Sequence, residues 1–181
     1  MKLFIAVNFD DETKSRLLAI QDIIKKQAVR GNFSRPENLH LTVVFIGETD
    51  AGLVPAVEAI IIDAAARPPA NAFSVTLNRT GCFRHSAKEL WWIGAGDADS
   101  GLCALAELRR QITGALEAAG IPFDNRPFRA HITLGRDIKP ASAIVLPDES
   151  ITVPVTRISL MKSEHVKGLL TYTEIAGQDL E

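Results

Sequence analysis

Apolar, partly β-branched residues run unbroken from Leu3 to Val7, a block of the length expected for a buried strand, so residues 2–9 should open the fold as one. Asp10, Asp11 and Glu12 follow and supply the capping oxygen and negative charge that a helix start favours. Leu17, Ile20 and Ile24 then recur at helical spacing, and Gly31-Asn32 is expected to stop that helix. A loop containing Ser34-Arg35-Pro36 leads into a strand at His40, which Gly47 closes. Val54, Val57 and Ile61 stripe a second helix from about Asp50 to Ala66, with Pro68-Pro69 as its stop.

The second half repeats this order. Residues 72–83 and 89–95 read as strands joined near His85-Ser86-Ala87-Lys88. Leu102, Leu105, Leu108, Ile112 and Leu116 mark an amphipathic helix that ends at Gly120-Ile121-Pro122. A polar loop, Asp124-Asn125-Arg126-Pro127, delivers a strand at His131. Residues 151–161 and 169–176 look like a closing pair of strands, where Pro154 suits an edge or a bulge. Each half thus offers a strand, a helix, an Arg-Pro loop and a strand that begins with histidine, with residues 3–9 matching 90–95. Such a long period suggests an internal duplication rather than a solenoid. Two lobes about a pseudo-two-fold axis would bring both histidine strands to one groove.

Composition narrows the function. With 181 residues, 46% apolar and 23% charged, the chain is an ordinary globular one, large enough for a single domain with a good core. A net charge of −2 leaves no global basic field for gripping duplex nucleic acid. An anion would have to be drawn locally, and Arg126, Arg129 and Arg136 form a candidate cluster. Cys82 and Cys103 are the only cysteines and make no C-x-x-C pair, against a disulfide framework or structural zinc. The first apolar run is too short for a signal peptide, and no stretch is long enough for a bilayer. The expectation is a soluble, cytoplasmic monomer with no membrane partner.

The chemistry sits in a spaced pattern that occurs twice, Arg-Pro-x-x-x-His-x-Thr. Arg35, Pro36, His40 and Thr42 form one copy; Arg126, Pro127, His131 and Thr133 form the other. Alternation on a strand puts His40 and Thr42 on one face with Leu41 behind, and His131 and Thr133 on one face with Ile132 behind. An imidazole titrates near neutrality, so of two facing histidines one can take a proton while the other gives one. The threonine hydroxyls can donate to phosphoryl oxygens as charge builds on them. Either motif alone would read as an ordinary core or capped histidine; the matched pair favours a shared site.

These motifs resemble those of the 2H phosphoesterase superfamily. The opening Leu3-Phe4-Ile5-Ala6-Val7, the segment Glu37-Asn38-Leu39-His40-Leu41-Thr42, Phe45-Ile46-Gly47 and His131-Ile132-Thr133-Leu134-Gly135-Arg136 are similar to its RNA 2′,3′-cyclic phosphodiesterase (2′-5′ RNA ligase-like) branch. Val43-Val44 is smaller than the leucine-rich pair expected there, a matter of packing. The resemblance implies an α+β, bilobal fold: two pseudo-symmetric antiparallel sheets flanked by helices, with a central groove, all in one domain over 1–181. It implies hydrolysis of a terminal 2′,3′-cyclic phosphate to a 2′-phosphate without metal or other cofactor. Partners would be RNA ends or nucleotides carrying that group, tRNA fragments among the candidates. By analogy His40 is the acid, His131 the base, Thr42 and Thr133 hold the phosphate with Arg136 nearby, and Phe45 stacks on the terminal base.

Strand parity puts Phe45 opposite His40, and Arg136 opposite Thr133, so those two roles require a bulge or a turn. Trp91-Trp92 can place only one ring on each face, and core packing is expected for at least one. His85 and His165 read as solvated, and Asp97-Ala98-Asp99 and Asp148-Glu149 as turn or cap residues. Reversible 2′-5′ RNA ligation is a reaction the same acid–base pair could support. The alternative from another class is a non-catalytic module that binds nucleotides or RNA ends. A two-histidine metal site is weaker, since threonine is a poor ligand.

Overall fold

The computed structural model describes residues 1–68, 71–85, 88–96 and 99–181. In chain order it contains β1 (Lys2–Asn8), α1 (Asp11–Gln27), β2 (Ala28–Phe33), β3 (His40–Glu48), α2 (Val54–Ala65), β4 (Phe73–His85) and β5 (Lys88–Ala95). These are followed by α3 (Ser100–Ala118), β6 (His131–Pro140), β7 (Ile151–Val155), β8 (Arg157–Val166) and β9 (Leu169–Asp179). Short 3₁₀ turns at Pro36–Asn38 and Ala51–Leu53 precede β3 and α2.

The strands form two antiparallel sheets, in the orders β3-β1-β8-β9 and β2-β6-β5-β4-β7. The pseudo-symmetry lies in the sequence of neighbours. In each sheet the strand that starts with a motif histidine pairs with the strand leading into the helix upstream of it, β3 with β1 before α1 and β6 with β5 before α3. The halves interlace, however: β2 adds to the second sheet, and the C-terminal hairpin β8–β9 completes the first.

Helix α1 starts as its acids predict, with the Asp10 carboxylate accepting from the Thr13 backbone N–H at 2.8 Å. It ends earlier than Gly31, at Gln27, and residues 28–33 form β2, an edge strand along β6. Glycine there serves close approach, not helix termination: a Cβ on Gly31 would lie 2.8 Å from Ile138 Cγ1. The expected strand over 151–161 is two strands in different sheets, broken at Thr156. Pro154 lies on β7, the outer strand of its sheet, where a missing N–H costs no ladder bond.

Leu3, Ile5 and Val7 from β1, Leu17, Ile20 and Ile24 from α1, Leu105, Leu108 and Ile112 from α3 and Ile132 and Leu134 from β6 belong to one continuous buried cluster. Both sheets therefore share a core, which fixes the angle between their opposite, groove-lining faces. Among the described residues no helix is long and apolar enough to cross a membrane.

Candidate active site

Both motif histidines begin their strands, and both are locked in the same way. The Nδ1–H of His40 donates to the Asn38 carbonyl at 2.7 Å, and that of His131 to the Arg129 carbonyl at 2.7 Å. A carbonyl can only accept, so each ring carries its proton on Nδ1 and turns Nε2 toward the groove. His40 Nε2 accepts from the Thr42 hydroxyl at 2.9 Å. His131 Nε2 has no protein partner among the described residues.

The two rings sit in unlike surroundings. His40 is wedged against Phe4 and Tyr172, with ring centroids 4.8 and 5.1 Å away. Burial, opposed by the bond to Asn38 and helped by the charges of Arg136 and His131, lowers the His40 pKa to about 4. Held in this way, the imidazole is neutral at neutral pH. His131 meets Phe83 and Trp92 edge-on, at 5.9 and 6.4 Å.

Two cavities, of about 600 and 680 Å³, share His40, Thr42, His131, Arg136, His165, Leu170 and Tyr172 as walls. The histidines therefore stand at the junction of a two-armed groove. One arm adds Phe45, Phe128, Arg126 and Arg129; the other adds Thr133, Phe33, Arg35 and Asn38. All six residues singled out from the sequence, His40, His131, Thr42, Thr133, Phe45 and Arg136, line this groove.

Phe45 and Arg136 get there because each strand carries an unpaired residue. On β3, Thr42 faces Ala6 and Val44 faces Ile5, which leaves Val43 without a partner. The shift reverses parity, so Phe45 lies opposite Phe4 on the groove face while Val43 and Val44 are both buried. On β6, Thr133 faces Trp92 and Gly135 faces Trp91, so Leu134 is the extra residue and Arg136 emerges beside Thr133. Arg126, Arg129 and Arg136 line one arm together with Asp124, whose carboxylate pairs with Arg126, and Arg109 lies over the Phe128 ring at 5.2 Å.

The adjacent tryptophans divide as alternation requires. Trp91 is buried and donates to Glu89 at 2.8 Å, whereas Trp92 stands on the His131 face. His165, read as solvated, is exposed but borders both arms. The reading of His85 as solvated concerns a side chain outside the described residues, and Asp97 and Ala98 lie outside them too. Tyr172 was missed by sequence reasoning; as the single tyrosine of the chain it offered only that weak signal. Among the described residues no group of three or more His, Cys, Asp or Glu is placed to hold a metal ion.

Comparison with known proteins gives a consistent picture. An Escherichia coli RNA 2′,3′-cyclic phosphodiesterase is 32% identical over 139 residues, 77% of this chain and 74% of that protein. A Thermus thermophilus protein of the same description is 33% identical over 168 residues, 91% of this chain and 82% of its own. A crystal structure of a Thermus thermophilus protein superposes with a TM-score of 0.79 at 30% identity, covering 99% of this chain and 98% of that one. Escherichia coli LigT complexed with 3′-AMP gives 0.78 at 26% identity, covering 99% and 97%. The family model that matches residues 10–167 is that of the 2′-5′ RNA ligase superfamily, and the chain belongs to it.

Proposed function

We propose that the protein is an RNA 2′,3′-cyclic phosphodiesterase that opens a terminal cyclic phosphate to a 2′-phosphomonoester, with His40 and His131 as its acid and base. The observation that carries this reading is the matched pair of imidazoles, each held by Nδ1 on the carbonyl two residues upstream, at the junction of one groove. His131 takes a proton from water as its oxygen bonds to phosphorus. The bond from phosphorus to the 3′-oxygen breaks, and His40 delivers a proton to that oxygen. Thr42, Thr133 and Arg136 bind the non-bridging oxygens, and Phe45 stacks on the terminal base.

His40 must be charged to act as the acid, yet its surroundings in the groove hold it neutral. A phosphate anion between it and Arg136 offsets the guanidinium charge and supplies an acceptor for an Nε2–H, both of which favour the imidazolium. Substrate binding therefore loads the acid.

A second reading, joining, is supported by the size of the arm next to Thr133. At about 680 Å³ it is far larger than one water requires. A ribose 5′-hydroxyl held there would replace water as the nucleophile and leave a 2′-5′ linkage, with tRNA fragments as candidate substrates.

The test is incubation with a short RNA ending in a 2′,3′-cyclic phosphate, with products identified by phosphorus NMR. A 2′-phosphate is expected, formed in the presence of chelator and reduced roughly 10²–10⁴-fold in His40→Ala and His131→Ala. Full activity in both variants rules the mechanism out. Tight binding of the RNA end without turnover would establish the alternative, a binding module. Adding an RNA with a 5′-hydroxyl end tests for joining.

A further inference from the structure

Leu134, the extra residue of β6, keeps its carbonyl outside the strand ladders. That oxygen accepts from the Ser34 backbone N–H at 3.0 Å and from the side-chain amide of Gln21 at 2.9 Å. The same Gln21 nitrogen donates to the Ser34 carbonyl at 2.7 Å, and the Ser34 hydroxyl donates to the Thr133 carbonyl at 2.7 Å. One buried amide thus ties α1, the loop leading to the first motif and the unpaired residue of the second.

Gln21 is 1% exposed and shares the inward face of α1 with Leu17, Ile20 and Ile24. Packing alone would be served by leucine, which carries no polar group to desolvate. A glutamine at this depth is tolerated because its donors are used, and what they hold is the irregularity in β6. Without that irregularity the alternation of β6 would carry Arg136 to the face opposite Thr133.

We propose that Gln21 is a positioning residue for the phosphate-binding side chains, its amide fixing the Leu134 bulge that turns Arg136 into the groove beside Thr133. This rests on the phosphodiesterase reading of the groove. Gln21 touches no substrate; it acts through β6.

The test is a double-mutant cycle of Gln21→Leu and Arg136→Ala, read as kcat and KM on RNA ending in a 2′,3′-cyclic phosphate. Gln21→Leu is expected to lower kcat/KM about tenfold in the native background and less than about twofold once Arg136 is alanine, the non-additivity of residues acting as one unit. Equal losses in both backgrounds, or none in the first, overturn the proposal, because a general loss of fold would not depend on Arg136. Should Gln21→Leu not fold, Gln21→Asn keeps an amide but is one methylene too short, and the same cycle applies. An inactive native enzyme would instead defeat the phosphodiesterase reading. The cycle is then run on inorganic phosphate binding, which involves Arg136 but no turnover, with the same two outcomes.

Discussion

Phe45 and Arg136 occupy one position in two copies: each lies five residues after its histidine and reaches the groove past an unpaired residue, Val43 in β3 and Leu134 in β6. The duplicated frame is filled with different chemistry. The first copy presents an aromatic face with the Lys2 ammonium 5.6 Å from the ring centroid; the second presents a guanidinium. A symmetric scaffold thus supports an asymmetric site, and on the proposed phosphodiesterase reading the aromatic face meets the terminal base and the guanidinium the phosphate.

The two side chains should therefore fail differently. Arg136→Ala is expected to lower kcat/KM about 10²-fold, largely through kcat, because charge on the phosphoryl oxygens grows in the transition state. Arg136→Lys should recover only part, since an ammonium cannot present the paired donors of a guanidinium. Phe45→Ala should raise KM roughly tenfold with kcat little changed, in line with about 1–3 kcal/mol for stacking one base. Steady-state kinetics on one RNA substrate separates the two. An equal fall in kcat for Phe45→Ala would exclude simple stacking.

Much of this site was legible in the sequence because its defining residues alternate along strands. His40 with Thr42 and His131 with Thr133 needed only the two-residue period to share a face. Phe45 and Arg136 needed the register shifts, which depend on pairing with β1 and β5 and are not written in either motif. The same limit explains β2: six residues with no helical stripe and an exposed Val29 look like the frayed end of α1 until β6 is there to pair with them. The split at Thr156 was hidden for a related reason, since β7 and β8 are nearly continuous in chain and belong to different sheets. Gln21 did leave a trace, a polar residue three before Ile24 and four after Leu17 on an apolar stripe.

Which histidine gives the proton can be decided by changing the leaving atom. A 2′,3′-cyclic substrate with sulfur in place of the 3′-oxygen needs no proton on departure, because a thiolate is a far weaker base than an alkoxide. Rates of His40→Ala and His131→Ala on this substrate and its oxygen parent give the answer. If His40 is the acid, His40→Ala should recover to within about tenfold of the native enzyme, whereas His131→Ala stays roughly 10²-fold or more down. Rescue of His131→Ala alone would reverse the roles, the arrangement to which the neutral resting state of His40 is already suited.

Gly94 faces His131 across the ladder, and a Cβ there would lie 2.5 Å from the Ala130 carbonyl oxygen. The backbone must yield, and the atoms that yield adjoin the His131 ring, the base of the proposed mechanism. Gly94→Ala is expected to lower kcat by about 10²-fold, the scale of an ångström's misplacement at a reacting group, together with a loss of about 1–3 kcal/mol in stability. Gly114, inside α3 with nothing within 4 Å of the added carbon, is the control. Gly114→Ala should raise stability by roughly 0.5–1 kcal/mol and leave kcat alone. Thermal melting and kcat measured together distinguish a local displacement from a general weakening.

The neutral state of His40 links folding to pH. Its pKa is lowered from 6.5 to about 4 in the folded protein, so between those values the unfolded chain binds a proton that the folded one refuses. Stability then rises with pH across this window: the contribution is complete above pH 6.5 and lost as the solution is taken down to pH 4. At its largest it amounts to about 3 kcal/mol, reduced by whatever solvent reaches the ring edge in the groove. Carboxylates whose pKa values are lowered, such as Glu107 held at about 2 by Arg110 and Gln111, shed their contributions mainly below this range. Urea unfolding at about pH 7.5 and about pH 5 should therefore show a drop in the native protein that is smaller by about 2 kcal/mol in His40→Gln, which carries no titrating group. Saturating nucleoside 2′-phosphate, the product of the proposed reaction, should shrink the native drop as well, because its phosphate favours the charged ring. Equal drops in native and variant protein would show that the imidazole is free to protonate in the folded groove, and that the acid is loaded before substrate arrives.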